Sequence, residues 1–260
     1  IGIKMLYRDV VQRLQRHYLE LFRRAIPNLR INPDSIEIID HGLSTGEFSQ
    51  DFLDCGLGIS VRELYKREIA STQVGYTGKL LAWLPGQFMP EHRHRDILAL
   101  PRDKYGNLAE FPDSRIVRLE NLVADFSGLV GFDNKNHVFF TQAEDILTLD
   151  VPRLPKDSII IPGKAETFDI IYGEGSFFLS GSETNSPRYD IPESQKSYVK
   201  NRNEHYLKAG QQLRLPPNTP HAARASPNGM VAIEYSMPSR DEADIFTDTR
   251  IKRKTEIRDR

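Results

Sequence analysis

The sequence predicts a mainly β domain headed by one α-helix, and three observations carry that prediction. The opening segment spaces its apolar residues by three and four. From about residue 36 the chain changes to short runs rich in Val, Ile, Phe and Tyr. Gly, Pro, Asn and Asp break those runs at intervals of roughly ten residues. With 260 residues, 39% of them hydrophobic, the chain can bury roughly three quarters of its unfolded surface. One large domain, or a domain with sizeable insertions, is therefore expected.

Residues 1–35 form the helical segment. Tyr7, Val10, Val11, Leu14, Tyr18, Leu21 and Phe22 fall on one stripe that ends before Pro27. Arg13, Arg16, Arg23 and Arg24 occupy polar positions and read as a solvated face. Residues 36–250 form the β domain, with strands expected at Ile36 to Asp40, Leu57 to Leu64, Lys79 to Leu84, Glu166 to Tyr172, Ser176 to Ser180, Gln211 to Leu215 and Met230 to Tyr235. This spacing suits a sandwich or a small barrel. The run Leu119 to Val130 fits helix or strand. Residues 251–260 are charged, lack apolar periodicity, and are expected to fray or wrap on a neighbour.

Charge and cysteine content narrow the function. The chain has 35 Lys+Arg against 36 Asp+Glu, a net charge of −1, so no global field draws it to nucleic acid or anionic lipid. No apolar run approaches the roughly 20 residues that span a bilayer, and the opening stretch lacks the order of a signal peptide. The single Cys55 excludes an internal disulfide and multi-thiolate metal sites and fits a reducing compartment, so a cytoplasmic location is expected.

Three stretches have the logic of a metal site. Gly86 is followed after five residues by His92-Arg93-His94, which puts two imidazoles on one face of a strand, where they can bind one cation. Six residues separate Glu166 from Gly173, and a hairpin-like turn is expected at Gly173-Glu174-Gly175; a carboxylate on this neighbouring strand can supply a third ligand. Gly210 is followed after five residues by Pro216, and the proline-rich turn through Pro220 delivers His221 as a fourth.

Together these spacings resemble the two signature motifs of the cupin superfamily, whose fold is a double-stranded β-helix, or jelly-roll barrel. Gly86, His92, His94, Glu166 and Gly173 match the first motif. Gly210, Pro216 and His221 match the second, with Asn218 where the motif has its second glycine and Ala225 where an Asn often closes it. The departure lies in spacing: 71 residues separate His94 from Glu166, where the motif has three or four. Either a large insertion occupies about 95–163, or another carboxylate is the ligand, with Glu91 and Glu110 as substitutes.

Within the cupins, the flanking blocks resemble the D-lyxose isomerase family of sugar ketol-isomerases. These are Asp40-His41-Gly42 with Gly46-Glu47-Phe48, Met89-Pro90-Glu91-His92-Arg93-His94, Lys164-Ala165-Glu166, and Glu234-Tyr235-Ser236-Met237 followed by Asp241 and Asp244-Ile245-Phe246. The resemblance covers roughly residues 36 to 95 and 160 to 250. It implies a homodimeric, manganese-dependent aldose-ketose isomerase acting on a free pentose or hexose such as D-lyxose or D-mannose. Ligand chemistry alone leaves Mn²⁺, Fe²⁺, Co²⁺ and Zn²⁺ open.

Such a reaction needs a divalent cation, here on His92, His94, Glu166 and His221, and a base for proton transfer through a metal-bound enediol. Glu234 is the candidate base, although alternation with Ile233 and Tyr235 leaves its face undecided. Lys164, two residues before Glu166 and on the same face, is the candidate to steady the enediolate oxygen; a solvated lysine is the rival reading. Asp241 and Asp244 are candidates for binding sugar hydroxyls, or form an exposed acidic loop. The alternatives are an Fe²⁺ cupin dioxygenase, a sugar-binding cupin without turnover, and an isomerase of phosphorylated sugars using Arg93, Arg95 and Arg214. His17, His41, His137 and His205 are assigned structural or surface places, and Trp83 the core.

Overall fold

A computed structural model describes residues 5–41, 45–46, 50–69, 72–94, 97–99, 137–139, 159–161, 164–236, 244–251 and 255–259. Strand β1 (Met5–Tyr7) leads into helix α1 (Arg8–Ala25) and strand β2 (Ile36–Asp40). Then come β3 (Thr45–Gly46), helix α2 (Gln50–Asp54), β4 (Gly56–Ile69), β5 (Thr72–Trp83) and β6 (Phe88–His94). Short strands β7 (Ile97–Ala99), β8 (His137–Phe139) and β9 (Ile159–Ile161) precede the long β10 (Glu166–Leu179). The chain finishes with β11 (Asn203–Lys208), β12 (Gln212–Leu215), β13 (His221–Ser236), β14 (Asp244–Phe246) and β15 (Glu256–Arg258). The expected fold class is present: a mainly β, cupin-type architecture with an N-terminal helix. No helix among the described residues is long and apolar enough to cross a membrane.

Helix α1 forms because its apolar stripe has a surface to cover. Val10, Val11, Leu14, Tyr18, Leu21 and Phe22 are buried against Ile36, Ile38, Ala82 and Val231. The neighbouring residues Ile39, Leu81 and Ala232 point to the other side of the sheet, into a second core with Trp83, Met89, Phe168, Phe177 and Leu215. This period-two alternation divides an outer core under the helix from the barrel interior. Trp83 is fully buried, in the core position expected of it. The helix stops where Ile26 N–H reaches back to Phe22 O at 2.8 Å, with Arg23 and Arg24 in the last turn and Pro27 beyond.

The main sheet runs β11-β10-β13-β5-β4-β2, with β12 on β10 and β6 bridging β13 and β14. Strand β13 is its hub. Its first half pairs with β6, its second half with β5, and its other edge with β10 along most of its length. Here the structure corrects one expectation: Gly173-Glu174-Gly175 is not a hairpin turn but the bend of a single 14-residue strand. The register slips between Ile170 and Tyr172 and again between Gly173 and Gly175. Gly173 has φ +69°, and a Cβ there would fall 2.1 Å from the carbonyl oxygen of Gly229, itself at φ +80°. Two glycines thus let β10 and β13 turn the same corner together. Likewise, the strand expected from Met230 is the second half of one that begins at His221.

Strands β7, β8 and β9 form a separate three-stranded antiparallel sheet with β7 in the centre. At the far terminus, β15 pairs in parallel with β1, and Arg8 Nε lies 2.6 Å from Asp259 Oδ1. The run 119–130, and with it Arg95, Glu110 and Asp241, lies outside the described residues.

Candidate metal centre

Strand β6 carries His92 and His94 two residues apart, so both project to the barrel interior, where they are 8% and 5% exposed. Strand β13 starts at His221, opposite His92 in the ladder, and the two rings stand 4.4 Å apart between centroids. One ligand nitrogen from each of the three histidines fits within 4.8 Å of the others.

The second nitrogen of each ring is already engaged. Nδ1 of His92 lies 2.9 Å from Pro90 O, Nδ1 of His221 lies 2.9 Å from Thr219 O, and Nδ1 of His94 lies 2.6 Å from Asp244 Oδ1. The carbonyls fix the Nδ1–H tautomer of His92 and His221 and leave Nε2 as the coordinating atom, the usual arrangement behind metal-bound histidine; His94 has Asp244 at Nδ1 and Glu166 at Nε2. Nε2 of His221 is buried with no hydrogen-bond partner, a costly state for a polar atom unless a cation takes its lone pair.

Glu166, at the start of β10, stands against the cluster. Its Oε1 lies 3.1 Å from His94 Nε2 and its Oε2 lies 3.2 Å from His221 Nε2, a separation without hydrogen-bond alignment. The three imidazoles fit a first-row divalent cation, and Glu166 stands against two of them. Burial raises the Glu166 carboxyl pKa, but His94, Lys164 and His221 outweigh it and hold it well below the usual range. Burial lowers His92 to about 3, with His221 and His94 adding to the effect, so His92 is neutral and able to bind metal at pH 7. Burial likewise lowers His221. At His94 burial is outweighed by Glu166 and then Asp244, and the pKa rises.

Beside this cluster, Glu234 points inward from β13 and is 4% exposed, which settles the face that alternation left undecided. Its Oε1 receives Lys79 Nζ at 3.0 Å, Lys164 Nζ at 3.1 Å and the hydroxyl of Ser236. Burial pushes the Glu234 carboxyl up, but Lys164 and Lys79 bring it down to about 2. Lys164 Nζ also lies 2.6 Å from Glu166 Oε1. Burial works against its charge, yet Glu166 and Glu234 raise its pKa. The sequence reading missed Lys79, which is buried on β5 and lowered first by burial and then by Lys164. Only the pairing of β5 with β13, Lys79 opposite Glu234, reveals it.

These groups line one cavity. Its walls include His41, Lys79, His92, His94, Lys164, Glu166, His221, Glu234 and Asp244, over an apolar base with Ile39, Leu81, Met89, Phe168 and Phe246. His41, assigned a structural place from the sequence, lies on this wall, with its ring 4.7 Å from Phe246. Asp244 sits against His94. Of the two substitute ligands, Glu91 faces away from the cluster and is taken up by Lys200 N–H, Asn201 and Thr247. A roomier groove of about 460 Å³ lies along α1, between Leu14, Leu21, Leu53 and Leu84, away from this chemistry.

No family model matches the chain. Over 95 residues, 36% of the chain, it is 43% identical to a D-lyxose ketol-isomerase of Thermofilum sp. (strain ex4484_79), and the match spans 53% of that relative. Over 98% of the chain it is 27% identical to a D-lyxose/D-mannose isomerase of Thermosediminibacter oceani, covering 100% of that protein. Among solved structures, an L-ribose isomerase of Acinetobacter sp. DL28 in complex with L-ribose superposes with a TM-score of 0.57 at 13% identity, covering 99% of this chain and 100% of that one. The Geodermatophilus obscurus L-ribose isomerase gives 0.56 at 12% identity, again over 99% and 100%. In sequence the chain is thus similar to D-lyxose and D-mannose isomerases, and in fold it is like the L-ribose isomerases.

Proposed function

We propose that the chain is a metal-dependent aldose-ketose isomerase of free pentoses or hexoses, with D-lyxose and D-mannose as the first substrates to test. The observation that carries this reading is a buried carboxylate, Glu234, fixed by two lysines beside the three-histidine cluster on one cavity wall. His92, His94, Glu166 and His221 would hold the divalent cation, Mn²⁺ on the family resemblance. When bound, the cation supplies Lewis acidity toward the sugar carbonyl and its neighbouring hydroxyl.

The chain's own groups supply the rest. Glu234 is anchored through Oε1, which meets Lys79, Lys164 and the Ser236 hydroxyl. The Glu234 carboxylate is the base that takes the proton from one sugar carbon, exchanges it with solvent, and delivers one to the next. Lys164 has three N–H donors and spends them on two carboxylates, leaving one for a developing enediolate oxygen. Asp244 orients His94, and Asp241 is assigned to sugar hydroxyls on the resemblance alone. The resemblance carries a homodimer with it, and the lone Cys55 a reducing, cytoplasmic setting.

Charged groups paired inside the cavity suit a polyol better than the apolar substrate of a dioxygenase. No arginine among the described residues lines the cavity, and both of its lysines face carboxylates, which favours a free sugar over a phosphorylated one.

The test is proton NMR in heavy water with D-lyxose and D-mannose, before and after Mn²⁺ is restored to stripped protein. Metal-dependent ketose formation, with deuterium at C1 of the ketose and C2 of recovered aldose, is the expected result. Conversion without deuterium uptake, together with a Glu234→Gln variant as active as the unaltered chain, would remove the base role from Glu234. Tight metal binding without turnover of any sugar would move the reading to a binding-only cupin or an oxygenase.

A further inference from the structure

We infer that Glu91 is a positioning residue that sets the register of β14 on β6 and thereby holds Asp244 against His94. The inference rests on the proposed metal centre and adds to it a residue that touches neither cation nor sugar.

Glu91 precedes His92 on β6 and is 2% exposed. Its Oε2 accepts hydrogen bonds from Lys200 N–H at 3.1 Å, Asn201 N–H at 2.8 Å and Asn201 Nδ2 at 3.0 Å, and its Oε1 accepts one from the Thr247 hydroxyl at 2.6 Å. Thr247 N–H also donates to the Glu91 carbonyl at 3.0 Å. Thr247 is the residue directly after β14. One buried side chain therefore ties together the histidine strand, the 200–201 loop and the last strand to reach the site.

Strand β14 needs such a tie. It is three residues long and half-buried, and β6 is its one strand partner among the described residues. Its ladder sets Asp244 opposite His94 and Phe246 opposite His92. A slip of one residue reverses the faces of a strand. Asp244 would then leave Nδ1 of His94, and Phe246 would leave the His92 ring that it meets at 5.4 Å. With Glu91 and Thr247 locked at the end of the ladder, the register is held and His94 keeps its Asp244 partner and its aim.

The experiment strips the full chain of metal and titrates it with Co²⁺, read by its visible absorption, while unfolding of the metal-free protein is followed in parallel. Glu91→Ala is expected to weaken Co²⁺ binding by about 10- to 100-fold, the usual cost of losing an outer partner of a ligand. Glu91→Gln keeps an oxygen for the N–H donors and an amide for the Thr247 hydroxyl, and is expected to recover most of the affinity. Combined with Asp244→Ala, the Glu91→Ala loss should not add, because both act through His94. Wild-type affinity in Glu91→Ala, or losses that add in the double variant, would overturn the inference. If Glu91→Ala does not fold, Thr247→Val removes one contact of the clamp, and unchanged Co²⁺ affinity there would also overturn it. Failure of the wild-type chain to bind Co²⁺ would instead sink the metal reading, and the positioning role with it.

Discussion

Lys79 Nζ stands 3.0 Å from Glu234 Oε1, with both side chains 5% exposed and the two residues directly opposite each other on β5 and β13. A buried carboxylate keeps its charge only if cations face it. Lys79 and Lys164 therefore decide the state in which Glu234 meets a substrate.

Replacing Lys79 with Met removes one of those cations. The Glu234 pKa should rise, since Lys79 is one of the two charges that bring it down to about 2. The acid limb of the rate-pH profile should move to higher pH, with kcat lower by about 10- to 100-fold. Stability should fall by about 1–3 kcal/mol, less than the usual cost of breaking a buried pair because Lys164 still faces the carboxylate. Steady-state rates from pH 5 to 9 and urea unfolding check both expectations.

The metal-free protein should lose stability as pH falls below neutrality. His92 is lowered to about 3, so between its ordinary value and 3 the unfolded chain binds a proton that the folded chain refuses. His221 is shifted the same way, while raised His94 works in the opposite sense. Below about pH 4.5 the depressed Glu234 adds a second loss, complete near pH 2. Melting midpoints of chelator-treated protein at pH 7.5, 6 and 4.5 should fall in that order.

Cation binding should stabilise the fold. Metal at 100 times its Kd adds about 2.7 kcal/mol, which for a chain of this size raises the melting midpoint by about 5–10 °C. His221→Ala should abolish the increase, because its unpartnered Nε2 is among the atoms the cation satisfies. Differential scanning calorimetry with and without Mn²⁺ reads this directly.

Gly173→Ala should destabilise the barrel by about 2–4 kcal/mol. Its φ of +69° disfavours any Cβ, and the Gly229 carbonyl already occupies the space. Gly210→Ala, also at positive φ (+88°) but with open space around it, should cost about 1 kcal/mol. Urea unfolding of the two variants separates steric conflict from backbone strain.

What the sequence made legible was local. The helix, the His-x-His strand face and the delivery of His221 from a proline-rich turn each follow from spacing within a few residues, and β2 falls at Ile36–Asp40 as read. What it hid depends on partners far along the chain. Lys79 meets Glu234 across 155 residues, and Asp244 meets His94 across 150. The pair Gly173 and Gly175 reads as a hairpin because glycines mark turns and bulges alike, and only the second bent strand beside it tells them apart. Glu91 sits within a candidate ligand motif, but its donors come from residues 200, 201 and 247.

The antiparallel pairing of β7 with β9 has a consequence for how this barrel came by its length. Ile97 pairs with Ile161 and Ala99 with Ile159, so the chain departs after His94 and comes home before Lys164 through a stitched doorway. The entropy of closing a loop grows only with the logarithm of its length. Once that doorway is sewn, the number of residues beyond it hardly weighs on the distance from His94 to Glu166. Added length beyond this seam therefore costs the closure little while β7 and β9 stay paired.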